Sequence, residues 1–116
     1  MRGEESISII RSASECYKFY RDTDPRGRWP DPKDWIDQLR RRAEVSRELP
    51  LLNPVQQWYP RLLLAVSLWI EAVRPTTDAD ADELRKQLPR YIGDITPDNI
   101  IVGTDGPVLI DFCVKG

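Results

Sequence analysis

A chain of 116 residues has room for one domain. Hydrophobic residues make up 41% and charged residues 31%, a globular balance that argues against a disordered chain. The formal net charge of -2 and a pI near 5.2 leave no basic footprint for a general nucleic-acid binder.

The longest apolar run, Leu62 to Val66, falls far short of the roughly 18 residues that span a bilayer, so no membrane partner is expected. No apolar stretch of signal-peptide length follows Met1. Cys16 and Cys113 stand almost the whole chain apart, which suits a reducing cytoplasm better than a stapled scaffold. Histidine is absent. That excludes Ser-His-Asp and Cys-His catalysis and His-ligated zinc, leaving carboxylates, amides, hydroxyls, Arg and Lys to carry any chemistry.

In chain order, Ile7, Ile10, Ala13, Tyr17 and Tyr20 recur at steps of three and four and predict a helix over 5–21. Residues 22–32 hold three prolines, a glycine and three aspartates and read as a loop. Asp31-Pro32 is a helix start, because the carboxylate can accept orphan amide hydrogens and proline suits the first turn. The helix it opens carries Trp35, Ile36, Leu39 and Ala43 on one side and ends before Pro50. Asn53-Pro54 repeats the signal, and Val55, Tyr59, Leu62, Val66, Trp69 and Val73 predict a third, deeply buried helix with Pro60 at its first turn or at a kink. A fourth, short helix over 78–88 has Leu84 and Leu88 facing inward and Pro89 closing it. Ile100-Ile101-Val102 and Val108-Leu109-Ile110 flank Thr104-Asp105-Gly106 and read as a hairpin.

Other groups have plainer readings. Arg40-Arg41-Arg42 reads as a solvated helix face, and Asp78, Asp80, Asp82 and Glu83 as the acidic start of a helix. Trp35 and Trp69 read as core, whereas Trp29 and Trp58, beside prolines, are candidate exposed anchors. Cys113 reads as packing.

The stretch that points to chemistry is Tyr91-Ile92-Gly93-Asp94-Ile95-Thr96-Pro97-Asp98-Asn99, closed by Ile110-Asp111-Phe112. Asp94 and Asn99 sit at the two ends of a loop stiffened by Pro97. The hairpin returns the chain so that Asn99 and Asp111 converge at one end of it. One anionic and one neutral oxygen ligand suit Mg²⁺, which keeps its other positions for water and phosphate. Asp94 would then be a separate carboxylate, free to accept a proton.

This arrangement resembles the catalytic and metal loops of the protein-kinase-like fold, and within it the aminoglycoside phosphotransferase and choline kinase branch. The resemblance rests on Gly93-Asp94, Thr96-Pro97, Asn99 and Ile110-Asp111-Phe112 and covers about residues 88–113. Ile92 stands where that branch has histidine, and Cys113 replaces the glycine of D-F-G. The resemblance implies Asp94 as the catalytic aspartate, Asn99 and Asp111 as Mg²⁺ ligands, ATP as phosphoryl donor and a small-molecule hydroxyl as acceptor.

The resulting expectation is one partial kinase-like domain over 1–116, helical over 1–90, with the catalytic loop and metal-binding hairpin over 91–116. The fold class is α+β: about four helices followed by a β-hairpin, part of a kinase-like C-terminal lobe lacking the small lobe. No strand-rich segment is recognised around Lys18, Lys33 or Lys86, so a small lobe would come from another chain, self-association or a longer parent. The alternative function is a catalytically inactive pseudokinase-like module that binds a partner through an uncovered hairpin face.

Overall fold

The computed structural model describes residues 5–115. Strand alternation, not helical periodicity, governs the first segment. Cys16, Lys18 and Tyr20 are buried on one face while Tyr17 and Phe19 are only half-buried. Strand β1 (Ser6–Ser12) therefore folds back on β2 (Glu15–Tyr20) as an antiparallel hairpin. The helix expected over 5–21 is absent. Its five spacing matches mix two faces of a hairpin: Ile7 is 69% exposed and Tyr20 9%.

Helix α1 (Pro32–Glu48) begins where the Asp31-Pro32 signal put it. Asp31 caps it by accepting a hydrogen bond from the Lys33 amide at 2.9 Å. Trp35, Leu39 and Ala43 are buried, whereas Ile36 is exposed. The third expected helix is instead β3 (Val55–Tyr59), a single 3-10 turn over Pro60–Leu62, and β4 (Leu64–Leu68). Pro60 starts the turn and Leu63, at φ 49°, reverses the chain. Leu64, Ala65 and Val66 are buried on both faces of a central strand, a short apolar run that periodicity alone cannot distinguish from a buried helix.

The four strands form one antiparallel sheet in the order β1-β2-β4-β3. Helix α1 packs on it through Tyr20, Trp35, Leu39 and Ala65, with Trp29, Val55, Trp58 and Leu63 around them. Trp29 and Trp58 are thus packed against core rather than displayed as anchors.

Helix α2 (Asp78–Gln87) follows the short acidic-start helix of the sequence reading, with Leu84 and Leu88 buried. Thr77 and Asp80 form a reciprocal capping box at its start. Then come β5 (Ile92–Gly93), a 3-10 turn Pro97–Asn99, the hairpin β6 (Ile100–Gly103) and β7 (Gly106–Leu109), and β8 (Cys113–Val114), which pairs with β5.

The hairpin is flanked on both sides. The Asn53 amide donates to the Leu109 carbonyl at 2.9 Å, and the Val73 amide to that of Val102 at 2.8 Å. Its Ile100 and Leu109 enter the second core with Val45, Leu84, Ile92 and Phe112. The hairpin's edges are thus paired with this chain's own backbone, while Ile101, Val108 and Ile110 on its other face stay half-buried.

Two α-helices among the described residues, not about four, correct the expected architecture. The segment read as helical over 1–90 contains a four-stranded sheet, and Lys18 lies on one of its inner strands. The expectation of a kinase-like C-terminal lobe lacking a strand-built small lobe falls with it.

Candidate functional site

Lys18 and Asp111 come from opposite ends of the chain and meet at 3.4 Å, both largely shielded from solvent. Two elements bring them together. Alternation on β2 turns Lys18 inward between Cys16 and Tyr20, and the end of β7 carries the chain through Ile110 to Asp111. Burial works to lower the Lys18 pKa, but the Tyr20, Asp111 and Glu5 oxygens more than reverse it. The ammonium is therefore held firmly charged.

This pair lies in a cleft between the sheet and the β6–β7 hairpin. Ala65, Leu68, Trp69, Ile70, Ile101 and Phe112 supply apolar walls, and Lys18, Arg42 and Asp111 supply the charge. The cleft is narrow, with a cavity volume of about 80 Å³.

Asp94 directly follows β5 and lies outside this cleft. Gly93 is required there: a Cβ on it would lie 2.5 Å from Cys113 Sγ and 2.9 Å from Lys115 Cε. Asp94 itself adopts φ 63°, a left-handed conformation that aspartate tolerates better than most residues. The Asn99 side-chain amide donates to the Asp94 carbonyl at 2.8 Å and locks this turn. The carboxylate is gripped from the loop before α1: Arg28 donates to both oxygens, at 3.0 and 3.3 Å, and Arg26 approaches to 3.8 Å. Burial pushes the Asp94 carboxyl up, but the bonds and charge of Arg28, with Arg26 and Arg42, pull it below the ordinary carboxylate value. The neighbouring Cys113 thiol is pushed up by burial and by the Asp94 charge, which suits the packing role assigned to it.

The three sequence-derived residues thus share a neighbourhood but not one cavity. Asn99 is bonded to Asp94 through its side chain and to Ile110, beside Asp111, through a 2.8 Å backbone bond. Asp111 lines the cleft of Lys18, whereas Asp94 lines a separate depression with Arg85, Arg90 and Lys115.

For Mg²⁺, the donor chemistry fits. The Asn99 nitrogen is committed to Asp94, which leaves its oxygen as the donor atom, and Asp111 supplies an anionic oxygen. Among the described residues, no group of three or more His, Cys, Asp and Glu side chains is arranged to hold a metal ion. Phosphate oxygens and water would have to complete the shell.

The sequence reading missed Lys18, Arg28 and the Arg42–Glu5 pair. Lys18 had a signal, its alternate position between apolar residues of a strand. Arg42 had one too, since Trp35, Gln38, Leu39 and Arg42 follow at helical steps; it turns inward to Glu5 at 3.0 Å instead of joining Arg40 in solvent. Arg28 had none, because its contact is set by a loop. Comparison with family models, with curated proteins and with solved structures finds no match to this chain.

Proposed function

We propose that this chain is a kinase-like phosphotransferase, taking a phosphoryl group from Mg²⁺-ATP to the hydroxyl of a small molecule in a reducing cytoplasm. The observation that carries the reading is the Lys18–Asp111 pair at 3.4 Å beneath an apolar cleft. A fixed ammonium beside a carboxylate is what a phosphate-bound divalent ion requires: the cation meets phosphate oxygens and the carboxylate meets the metal. The segment from Gly93 to Phe112, which contributes Asp111 to that pair, is similar to the aminoglycoside phosphotransferase and choline kinase branch.

Bound Mg²⁺-ATP would supply the transferable phosphoryl group and the charge that stabilises its transfer. Lys18 would hold phosphate oxygens, and Asp111 with Asn99 would hold the ion. Asp94 would orient the acceptor hydroxyl and take its proton. Arg28 must first release the carboxylate, and the cleft must widen until it joins the depression at Asp94, from which it is separate in this structure. Two unpaired, buried cysteines suit the compartment.

The test is thermal unfolding with millimolar Mg²⁺-ATP. A ligand at one hundred times its dissociation constant adds about 2.7 kcal/mol. Lys18→Met should remove the shift, and Asp94→Asn should keep it while abolishing turnover. No shift with the unmodified chain ends the proposal.

A second reading is a catalytically inactive pseudokinase-like module. The grip of Arg28 on both Asp94 oxygens favours it, since an ion-paired carboxylate is a poor base. Mg²⁺-ATP binding without turnover in both the unmodified chain and Arg28→Gln would select it.

A further inference from the structure

The charge of the depression on the Asp94 side is mainly cationic. Arg85, Arg90 and Lys115 line it, and Asp94 is its one carboxylate. Arg28 and Arg26 already neutralise that carboxylate from the loop before α1, and neither of them lines the depression. Arg85 is anchored by donating to the Ile95 carbonyl at 2.6 Å and to Asp82 at 2.7 Å, so part of its charge is matched. Arg90 and Lys115 have no ion-pair partner among the described residues. The backbone positions Lys115, its amide donating to the Tyr91 carbonyl at 2.7 Å while its side chain runs past Gly93. Thr96 adds a hydroxyl to the same wall. The cavity volume, about 500 Å³, lies within the range of small-ligand sites.

We propose that this depression binds the acceptor, and that the acceptor is an anionic alcohol whose carboxylate or phosphate meets Arg90 and Lys115 while its hydroxyl lies beside Asp94. The proposal rests on the phosphotransfer reading for the acceptor role, and on the cation-lined wall for the charge. A neutral sugar alcohol gains no charge-assisted contact from the two cations, and a cationic acceptor is repelled by them.

The experiment is calorimetric titration of the full chain with gluconate and glycerol 3-phosphate, with glucose, glycerol and choline as counterparts and inorganic phosphate as control. At low salt each anionic alcohol should bind at least about ten-fold tighter than its neutral counterpart, the scale of a charge-assisted contact. Arg90→Gln and Lys115→Gln, both on the surface, should each weaken the anions several-fold, leave neutral compounds unchanged and keep the thermal shift with Mg²⁺-ATP. Equal binding of glucose or choline, or anion binding indifferent to both substitutions, overturns the proposal. Inorganic phosphate binding as tightly as glycerol 3-phosphate also overturns it, since the alcohol would then not be recognised. A Mg²⁺-ATP shift without anion binding removes the acceptor class alone. Anion binding without any Mg²⁺-ATP effect overturns the phosphotransfer reading, and the acceptor role with it.

Discussion

Gln38 and Val114 exchange two hydrogen bonds of 2.8 Å, the Gln38 amide nitrogen donating to the Val114 carbonyl and the Val114 amide donating to the Gln38 oxygen. Both residues are buried, at 2% and 0% exposure. A side chain in the middle of α1 thus completes the hydrogen bonding of a two-residue strand and ties the helix to the chain segment that follows Asp111. Gln38→Leu would keep the volume and strand two buried donors, the Val114 amide and Arg42 Nε, and one acceptor, the Val114 carbonyl, each costing about 1–3 kcal/mol. A loss of about 2–4 kcal/mol in denaturant unfolding is expected. A loss under 1 kcal/mol would mean that water or another group replaces the amide.

Arg42 is paired with Glu5 where both are buried, and it also donates to Gln38 at 3.0 Å. Removing one member of a buried pair leaves the other charge uncompensated, at about 3–5 kcal/mol. Arg42→Met should cost that much, whereas joint replacement of Arg42 by Met and Glu5 by Leu should recover most of it. A double-mutant cycle measures the difference, and purely additive losses would contradict the pairing.

Acid should weaken the fold. Arg74 and the Thr77 backbone hold the Asp80 carboxyl well below the usual range, and Asp94 is lowered on balance against its burial. Both pKa values are depressed in the folded chain, so in acid the unfolded chain binds more protons. Their contribution is complete above the ordinary carboxylate value near 4 and is lost as pH falls through the lower folded values. The urea midpoint should hold steady from about pH 7 to 5 and fall below about pH 4. Asp80→Asn should lower the plateau and flatten the fall. A midpoint that rises on acidification would contradict these ion pairs.

Ala13 turns the β1–β2 hairpin at φ 49° with its side chain in solvent. A left-handed alanine costs about 1–2 kcal/mol, and glycine gives back part of that as extra freedom in the unfolded chain. Ala13→Gly should therefore stabilise the protein by about 0.5–1 kcal/mol. No rise in thermal midpoint would indicate that the turn relaxes around alanine.

What the sequence disclosed was mostly local. Asp31-Pro32, the acidic start at Asp78 and Asp80, and Thr104-Asp105-Gly106 act through neighbouring backbone groups, and each marks an element that forms. The N-terminal half was misread because Ile7, Ile10, Ala13, Tyr17 and Tyr20 fit a helix by spacing while the turn at Ala13 splits them between two strands. Asn53-Pro54 misled for a related reason: the Asn53 side chain donates to the Leu68 carbonyl at 3.0 Å and caps no helix. Asp94, Asn99 and Asp111 were legible as a group because they follow one another along a loop and a hairpin. Lys18 and Arg28 reach that group from the far half of the chain, and no spacing rule spans such a distance.

Strands of two residues ordinarily fray, yet β8 is enclosed, with its amides committed to β5 and to α1. In deuterated solvent, the Val114 proton should be among the slowest to exchange and should report opening of the whole molecule. The outward-facing amides of β1 should be replaced far sooner. That contrast would make one resonance a clock for global unfolding, readable without any denaturant.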